Sequence, residues 1–198
     1  MSSHAPPGAG RALRQTLRVA HVVDRLSERL GRWVIWISLL MVLVACLNTV
    51  LRYLGRRIGA ELTSNAYIEL QWYLFSMLFL LTAGYALRHD RHVRVDVFYA
   101  RLSVRARAWI DVIGIATFLV PFCLFGLWVS WPAVRNSWTI LEGSPDPGGL
   151  PRYPIKTMIL VSFLLLLLQG LAEMVKRIAT LRGEASEAPP EPHHRELV

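Results

Sequence analysis

Six histidines, two cysteines and a handful of acidic residues are the side chains best suited to metal, redox or acid–base chemistry in this 198-residue sequence. Their spacing argues against most such chemistry. His4, His21, His89, His92, His193 and His194 all lie outside the long apolar runs. Haem held between membrane helices needs axial ligands at depth. His89, Asp90, His92 and Asp96 can be drawn as a metal site, but their spacing follows no strong ligand pattern and reads as a solvated loop. Cys46 and Cys123 fall inside apolar runs and read as small buried hydrophobes, not as a disulfide framework. Leu43-Val44-Ala45-Cys46 resembles a lipoprotein cleavage box. However, that apolar run starts only at Trp33, behind a long polar segment, and continues past Cys46 to Leu51. Lipidation is therefore not expected. Neither a cofactor nor an enzymatic activity is expected.

The acidic group closest to an apolar run is Glu69. Glu61, Asn65 and Glu69 recur at every fourth position and form one polar stripe on a helix, which Ser76 extends. Two readings stay open. Glu69 opens a helix at the membrane interface, where a carboxylate favours the positive end of the helix dipole. Alternatively it makes a polar contact with a partner helix. Gln71 and Trp72, which follow it closely, share either role.

The elements that must position these residues are membrane spans. Hydrophobic residues make up 54% of the chain and charged residues only 18%. That is more apolar than a soluble domain of this size sustains. The apolar residues come in blocks, which predict an all-α integral membrane protein with four transmembrane helices over about 33–51, 68–87, 112–131 and 155–175. Residues 1–32 read as a cytoplasmic segment with a short surface helix from Arg14 to Arg32. Residues 33–176 form the membrane domain, and 177–198 are a disordered cytoplasmic tail. Gly55 and Gly59 are expected to break the chain after the first span. Pro121 is expected to kink the third, and the Pro/Gly-rich stretch 135–154 to form a loop. Thr82 with Ala86 and Gly126 with Ser130 offer spacings for close helix approach.

The net charge of +8 is topological and does not point to nucleic acid. Sixteen of the 22 Lys and Arg residues fall in 1–32, 88–109 and 176–198, and six fall in the other two connections. The excess places both termini in the cytoplasm. No span carries Asp, Glu, Lys or Arg at depth, whereas ion-coupled carriers typically need such groups or broken helices near the midplane. The chain is therefore expected to be a subunit or scaffold, with a stand-alone four-helix carrier or a redox-complex membrane anchor as the alternatives.

The segment Glu69-Leu70-Gln71-Trp72-Tyr73-Leu74-Phe75, running on to Ala86-Leu87-Arg88-His89-Asp90-Arg91-His92-Val93-Arg94-Val95-Asp96-Val97, resembles the small permease (DctQ-like) subunit of tripartite ATP-independent periplasmic (TRAP) transporters. That family's second span opens on an acidic–aromatic segment and ends in Ala-Leu-Arg followed by His-[Ile/Val]-Arg-Val-Asp. The matching positions are Glu69, Trp72, Ala86, Leu87, Arg88, His92, Val93, Arg94, Val95 and Asp96. Residues 144–151 are similar to a subset labelled for mannitol or chloroaromatic transport. The resemblance implies a bacterial inner-membrane subunit that supports a large permease in ion-gradient-driven uptake of a small, organic-acid-like solute. A periplasmic solute-binding protein delivers that solute. It also implies that Glu69, Gln71, Trp72, Arg88, His92, Arg94 and Asp96 serve a subunit or lipid interface. Pro145, Asp146 and Pro147 would lie in a receptor-docking loop. The basic cluster Arg88, Arg91 and Arg94 suits anionic membrane lipids.

Overall fold

The structure, a computed structural model, describes residues 9–89 and 102–182, with side chains from residue 15 onward. Every regular element in it is helical: α1 (Ala9–Ile58), α2 (Asn65–Arg88), α3 (Val104–Thr139) and α4 (Tyr153–Leu181). All four are long and apolar enough to cross a membrane. Helix α4 packs against each of the other three, α1 pairs with α2, and α3 lies chiefly on α4. The connections 59–64 and 140–152 meet at one end of the bundle, here the loop end. The start of α1 and the end of α4 share the opposite, terminal end.

Helix α1 runs unbroken from Ala9 to Ile58, a stretch of 50 residues. At the α-helical rise its length is about 75 Å, well beyond the thickness of a hydrocarbon core. The expected boundary between a surface helix and the first span does not appear as a break: Gly31, the one glycine between Arg14 and Trp33, stays helical, and a Cβ there would lie 2.4 Å from the Tyr85 ring of α2. The first half of α1 meets the bundle through small and polar residues. Val19, Val22 and Leu26 are exposed, while Ala20, Asp24 and Ser27 are buried against the bundle. At the far end Gly55 lies within the helix and only Gly59 ends it, with φ of +69°. The Ala60 N–H donates to the Gly55 carbonyl at 3.1 Å, the long closing bond of a Schellman motif. A side chain at Gly55 would put its Cβ 2.5 Å from the Ala60 carbonyl oxygen, so the residue expected to break the helix is the one that lets it close.

Ser64 caps α2, its hydroxyl accepting from the Ala66 N–H. Ser103 caps α3 in the same way from Ala106, so Arg105 and Arg107 stand on the first turn of a helix and not in a loop. Proline lacks the N–H that an interior helical turn needs. Ahead of Pro121, α3 widens into a π-turn over Ile115–Leu119, in which the Val120 N–H reaches the Ile115 carbonyl. The helix accommodates the proline by adding a residue to one turn.

The buried seam of α4 is Ser162, Gln169, Gly170, Ala172 and Ala179, small or polar residues that permit close approach. On α3 the large apolar side chains face outward, including Phe118, Phe122, Trp128 and Trp131. Cys46 is exposed and Cys123 buried, and both are free thiols. Of the small-residue pairs, Gly126 makes a direct approach: a Cβ there would lie 2.5 Å from the Phe163 ring on α4. Gly126→Leu should therefore lower stability in detergent by about 1–3 kcal/mol. Gly114→Ala, with open space around it on the same helix, should be neutral or slightly stabilising. Equal melting temperatures for the two variants would contradict this packing.

Candidate functional site: a clasp at each end of the bundle

At the loop end, the polar stripe of α2 grips the loop before α4. Glu69 stands on α2 beyond its first turn and is only 3% exposed. The helix dipole acts on the first turn, so an interfacial helix start does not describe its surroundings. One carboxylate oxygen accepts from the Ser144 hydroxyl and the other from the Leu150 N–H. Gly149 sits so close that a Cβ would come within 2.7 Å of the carboxylate and 2.5 Å of Ser144.

One turn earlier, the Asn65 amide donates to the Pro147 carbonyl at 3.1 Å, and the Ser64 hydroxyl donates to the Gly148 carbonyl at 3.2 Å. One turn later, the Tyr73 hydroxyl donates to the Pro151 carbonyl at 3.0 Å. Glu61, the first member of the stripe, is exposed and stays out of the clasp. On the other side of the loop Lys156 pairs with Glu142, and the Arg152 N–H donates to the Glu142 carbonyl at 2.8 Å. The Lys156 ammonium holds the Glu142 carboxyl below its ordinary value of 4.5.

Pro145, Asp146 and Pro147 form the tip of this loop, steadied from within. The Asp146 N–H donates to the Ser144 hydroxyl, and the Gly149 N–H to the Asp146 carbonyl, both at 3.1 Å. Gln71 is half-buried, and Trp72 is 40% exposed with its ring edge-on to Tyr73 at 4.5 Å.

At the terminal end, a second cluster joins α1, α2 and α4. Gln169 is fully buried. Its amide donates to Asp24 at 2.9 Å and to Glu173 at 3.2 Å, and its carbonyl oxygen accepts from the Ser27 hydroxyl at 2.7 Å. Lys176 bonds both Asp24 oxygens, at 3.1 and 3.2 Å, and also Glu173. Arg88 reaches across from α2 to the Asp24 carbonyl at 2.6 Å and to Glu28 at 2.8 Å, and His89 lies 3.1 Å from the same Glu28 oxygen. Arg177 pairs with Asp111 at 3.1 Å and ties α3 to the same end.

Of the residues singled out in the sequence, Glu69 and Arg88 thus serve contacts within the chain, at opposite ends of α2. His92, Arg94 and Asp96 lie outside the described residues. Sequence reasoning misses Asp24, Ser27 and Gln169. Their signal is three polar residues at buried helical positions, concealed because Asp24 and Ser27 precede the charge-free run. Among the described residues, no three His, Cys, Asp or Glu side chains are grouped to hold a metal.

Four membrane-length helices with charged clusters at their ends define a multi-pass membrane subunit. The DctQ component family of tripartite ATP-independent periplasmic transporters matches residues 41–180, more than half of the chain, and the protein belongs to that family. It is the small component of a TRAP transporter, a family that works with a large permease and a periplasmic binding protein. No curated protein and no solved structure matches the chain at a significant level. The matched segment contains the whole loop-end clasp but only the α2 and α4 sides of the terminal one.

Three outcomes test the two clasps. Glu69→Gln keeps the side chain's shape but removes the charge from both accepted bonds, so amide exchange across 143–151 should accelerate several-fold while the helices stay protected. Asp24→Asn should destabilise the bundle by about 1–3 kcal/mol, because Lys176 and Gln169 lose a charged acceptor. Asp24→Asn combined with Lys176→Met should recover part of that loss, and full additivity would exclude the coupling. Because the Glu142 carboxyl is held down in the folded chain, its pairing contributes stability above pH 4.5 that drains away as pH falls through the folded value. Loop protection should hold from neutral pH to about 5 and fall below that. Glu142→Gln should weaken this pH dependence, and Glu142→Gln with Glu69→Gln should remove what remains.

Proposed function

We propose that this subunit is a stationary scaffold, N-in and C-in, with no solute or ion site of its own. It braces a large permease that drives uptake of a small organic-acid-like solute on an ion gradient. One observation supports this reading above the others. The apolar stretches 33–51, 70–87, 112–134 and 157–172 carry no Asp, Glu, Lys or Arg, and the paired charged groups described above lie at the two ends of the bundle. A pathway for an ion or an acidic solute needs polar or charged groups at depth. The charges here go instead to holding the helices and the loop in one arrangement, as a scaffold requires.

In this reading the terminal end faces the cytoplasm and the loop end the periplasm, following the excess of Lys and Arg in 1–32, 88–109 and 176–198. The tip Pro145-Asp146-Pro147 is then offered to the solute-bound receptor as a preformed surface. His92, Arg94 and Asp96 complete the motif that Arg88 begins. With Gln71 and Trp72 they are assigned to the interface with the large subunit and its surrounding lipid. The likeness of residues 144–151 to the subset labelled for mannitol or chloroaromatic transport supports a small organic solute. The site of the chain itself is the inner membrane of a bacterium.

Reconstitution tests the proposal. Proteoliposomes holding the large permease, this subunit and the receptor should accumulate solute under an ion gradient, and omission of this subunit should abolish uptake. The subunit alone should give none, and gradient-driven uptake by it alone would overturn the scaffold reading. Replacing Asp146 by Lys should raise the receptor concentration needed for half-maximal uptake without changing assembly of the two membrane subunits.

A further inference from the structure

We infer that the outward face of α1 carries a binding site for the headgroup of an anionic phospholipid, formed by Arg29, Arg32, Trp33 and Trp36. These four residues line one open groove of about 390 Å³. Their spacing of three, four and seven positions from Arg29 sets them on a single helix face. The burial pattern shows which face it is. Ala20, Asp24 and Ser27 are 2%, 7% and 4% exposed and define the side turned to the bundle. With the 3.6-residue turn of an α-helix, Arg29, Arg32 and Trp36 fall on the opposite side, with Arg25 in line one turn earlier. Trp33 and Trp36 are 66% and 65% exposed, so the groove opens away from α2 and α4.

Charge selects the occupant. Neither Arg29 nor Arg32 has a side-chain hydrogen bond or ion pair among the described residues. The nearest acids on α1 are committed elsewhere, Asp24 to Lys176 and Gln169, and Glu28 to Arg88 and His89. Two uncompensated guanidinium groups therefore stand one helical turn apart, and a guanidinium fork matches the oxygens of a phosphodiester.

Depth points the same way. The charge-free run of α1 begins at Trp33, immediately after Arg32, and tryptophan beside such a boundary is an interfacial residue. Phosphates of a bilayer lie at that level, and the apolar faces of the two indoles continue the groove toward the acyl chains. An acidic helix of another subunit would need a longer, flatter surface than a groove lined by four residues. The inference depends on membrane placement and not on which solute the transporter carries.

The test uses the full chain in detergent, titrated with phosphatidylglycerol or phosphatidylcholine and read by native mass spectrometry. A basic side chain near an anionic surface is worth about fivefold in binding, so Arg29→Gln with Arg32→Gln should weaken phosphatidylglycerol binding about 20- to 30-fold. Phosphatidylcholine binding should be unaffected. Arg56→Gln with Arg57→Gln, at the other end of the same helix, is the charge-matched control and should leave phosphatidylglycerol affinity in place. On the unmodified chain, brominated phosphatidylglycerol should quench tryptophan emission more strongly than brominated phosphatidylcholine. Removing both rings with Trp33→Leu and Trp36→Leu should abolish that difference. Equal losses in the two arginine pairs would overturn the site, since they would show only general attraction to negative charge. So would retained phosphatidylglycerol binding in the Arg29/Arg32 variant together with lost co-purification of the large permease, which would make this face a protein interface.

Discussion

A carboxylate withdrawn from water must be given donors by whatever surrounds it, and this requirement decides how the bundle is held. Glu69 at one end and Asp24 at the other are each buried and each supplied from distant parts of the chain. The loop before α4 folds onto α2 because Glu69 needs the Ser144 hydroxyl and the Leu150 N–H. The first half of α1 lies along α4 because Asp24 needs Lys176 and Gln169. Between these two clasps, contacts of small residues and outward-facing apolar side chains suffice. Helices in lipid gain little from burying more hydrocarbon and associate through packing and hydrogen bonds.

Much of this is legible in the sequence, and the rest is hidden for definable reasons. Blocks of apolar residues announce four spans because a bilayer demands nearly charge-free stretches of fixed length. The Glu61, Asn65 and Glu69 stripe announces a polar face on α2. What it cannot convey is that the partner is the chain's own loop, one helix further on, since periodicity reports a face and never its neighbour. A helix over Arg14 to Arg32 is legible, but the face it turns to the bundle is not: Val19, Val22 and Leu26 face out and Asp24 and Ser27 turn in. Gly55 is misread because a glycine that breaks a helix and one that permits its closing bond look the same in one dimension. The likeness around Arg88 points correctly to the family, while its pairing with Glu28 requires three-dimensional neighbours. His92, Arg94 and Asp96 lie outside the described residues.

The arrangement suits the stationary scaffold proposed above. Each clasp draws on three or more elements or on several successive turns, so loosening one bond leaves the others in place. The terminal clasp joins α1, α2 and α4, with α3 tied in through Asp111 and Arg177. The π-turn before Pro121 lets α3 continue as a helix despite a missing donor. A brace for a larger permease needs this resistance more than it needs reactive groups.

The tip Pro145-Asp146-Pro147 is anchored almost wholly through main-chain atoms and through residues on either side of it. Its outward side chains are therefore decoupled from the lattice of bonds beneath. Such a turn tolerates exchange of its surface while its base persists, so related transporters can diverge there without relearning how to fold. It is also a natural place to graft a short epitope as a rigid fiducial for imaging the assembled complex.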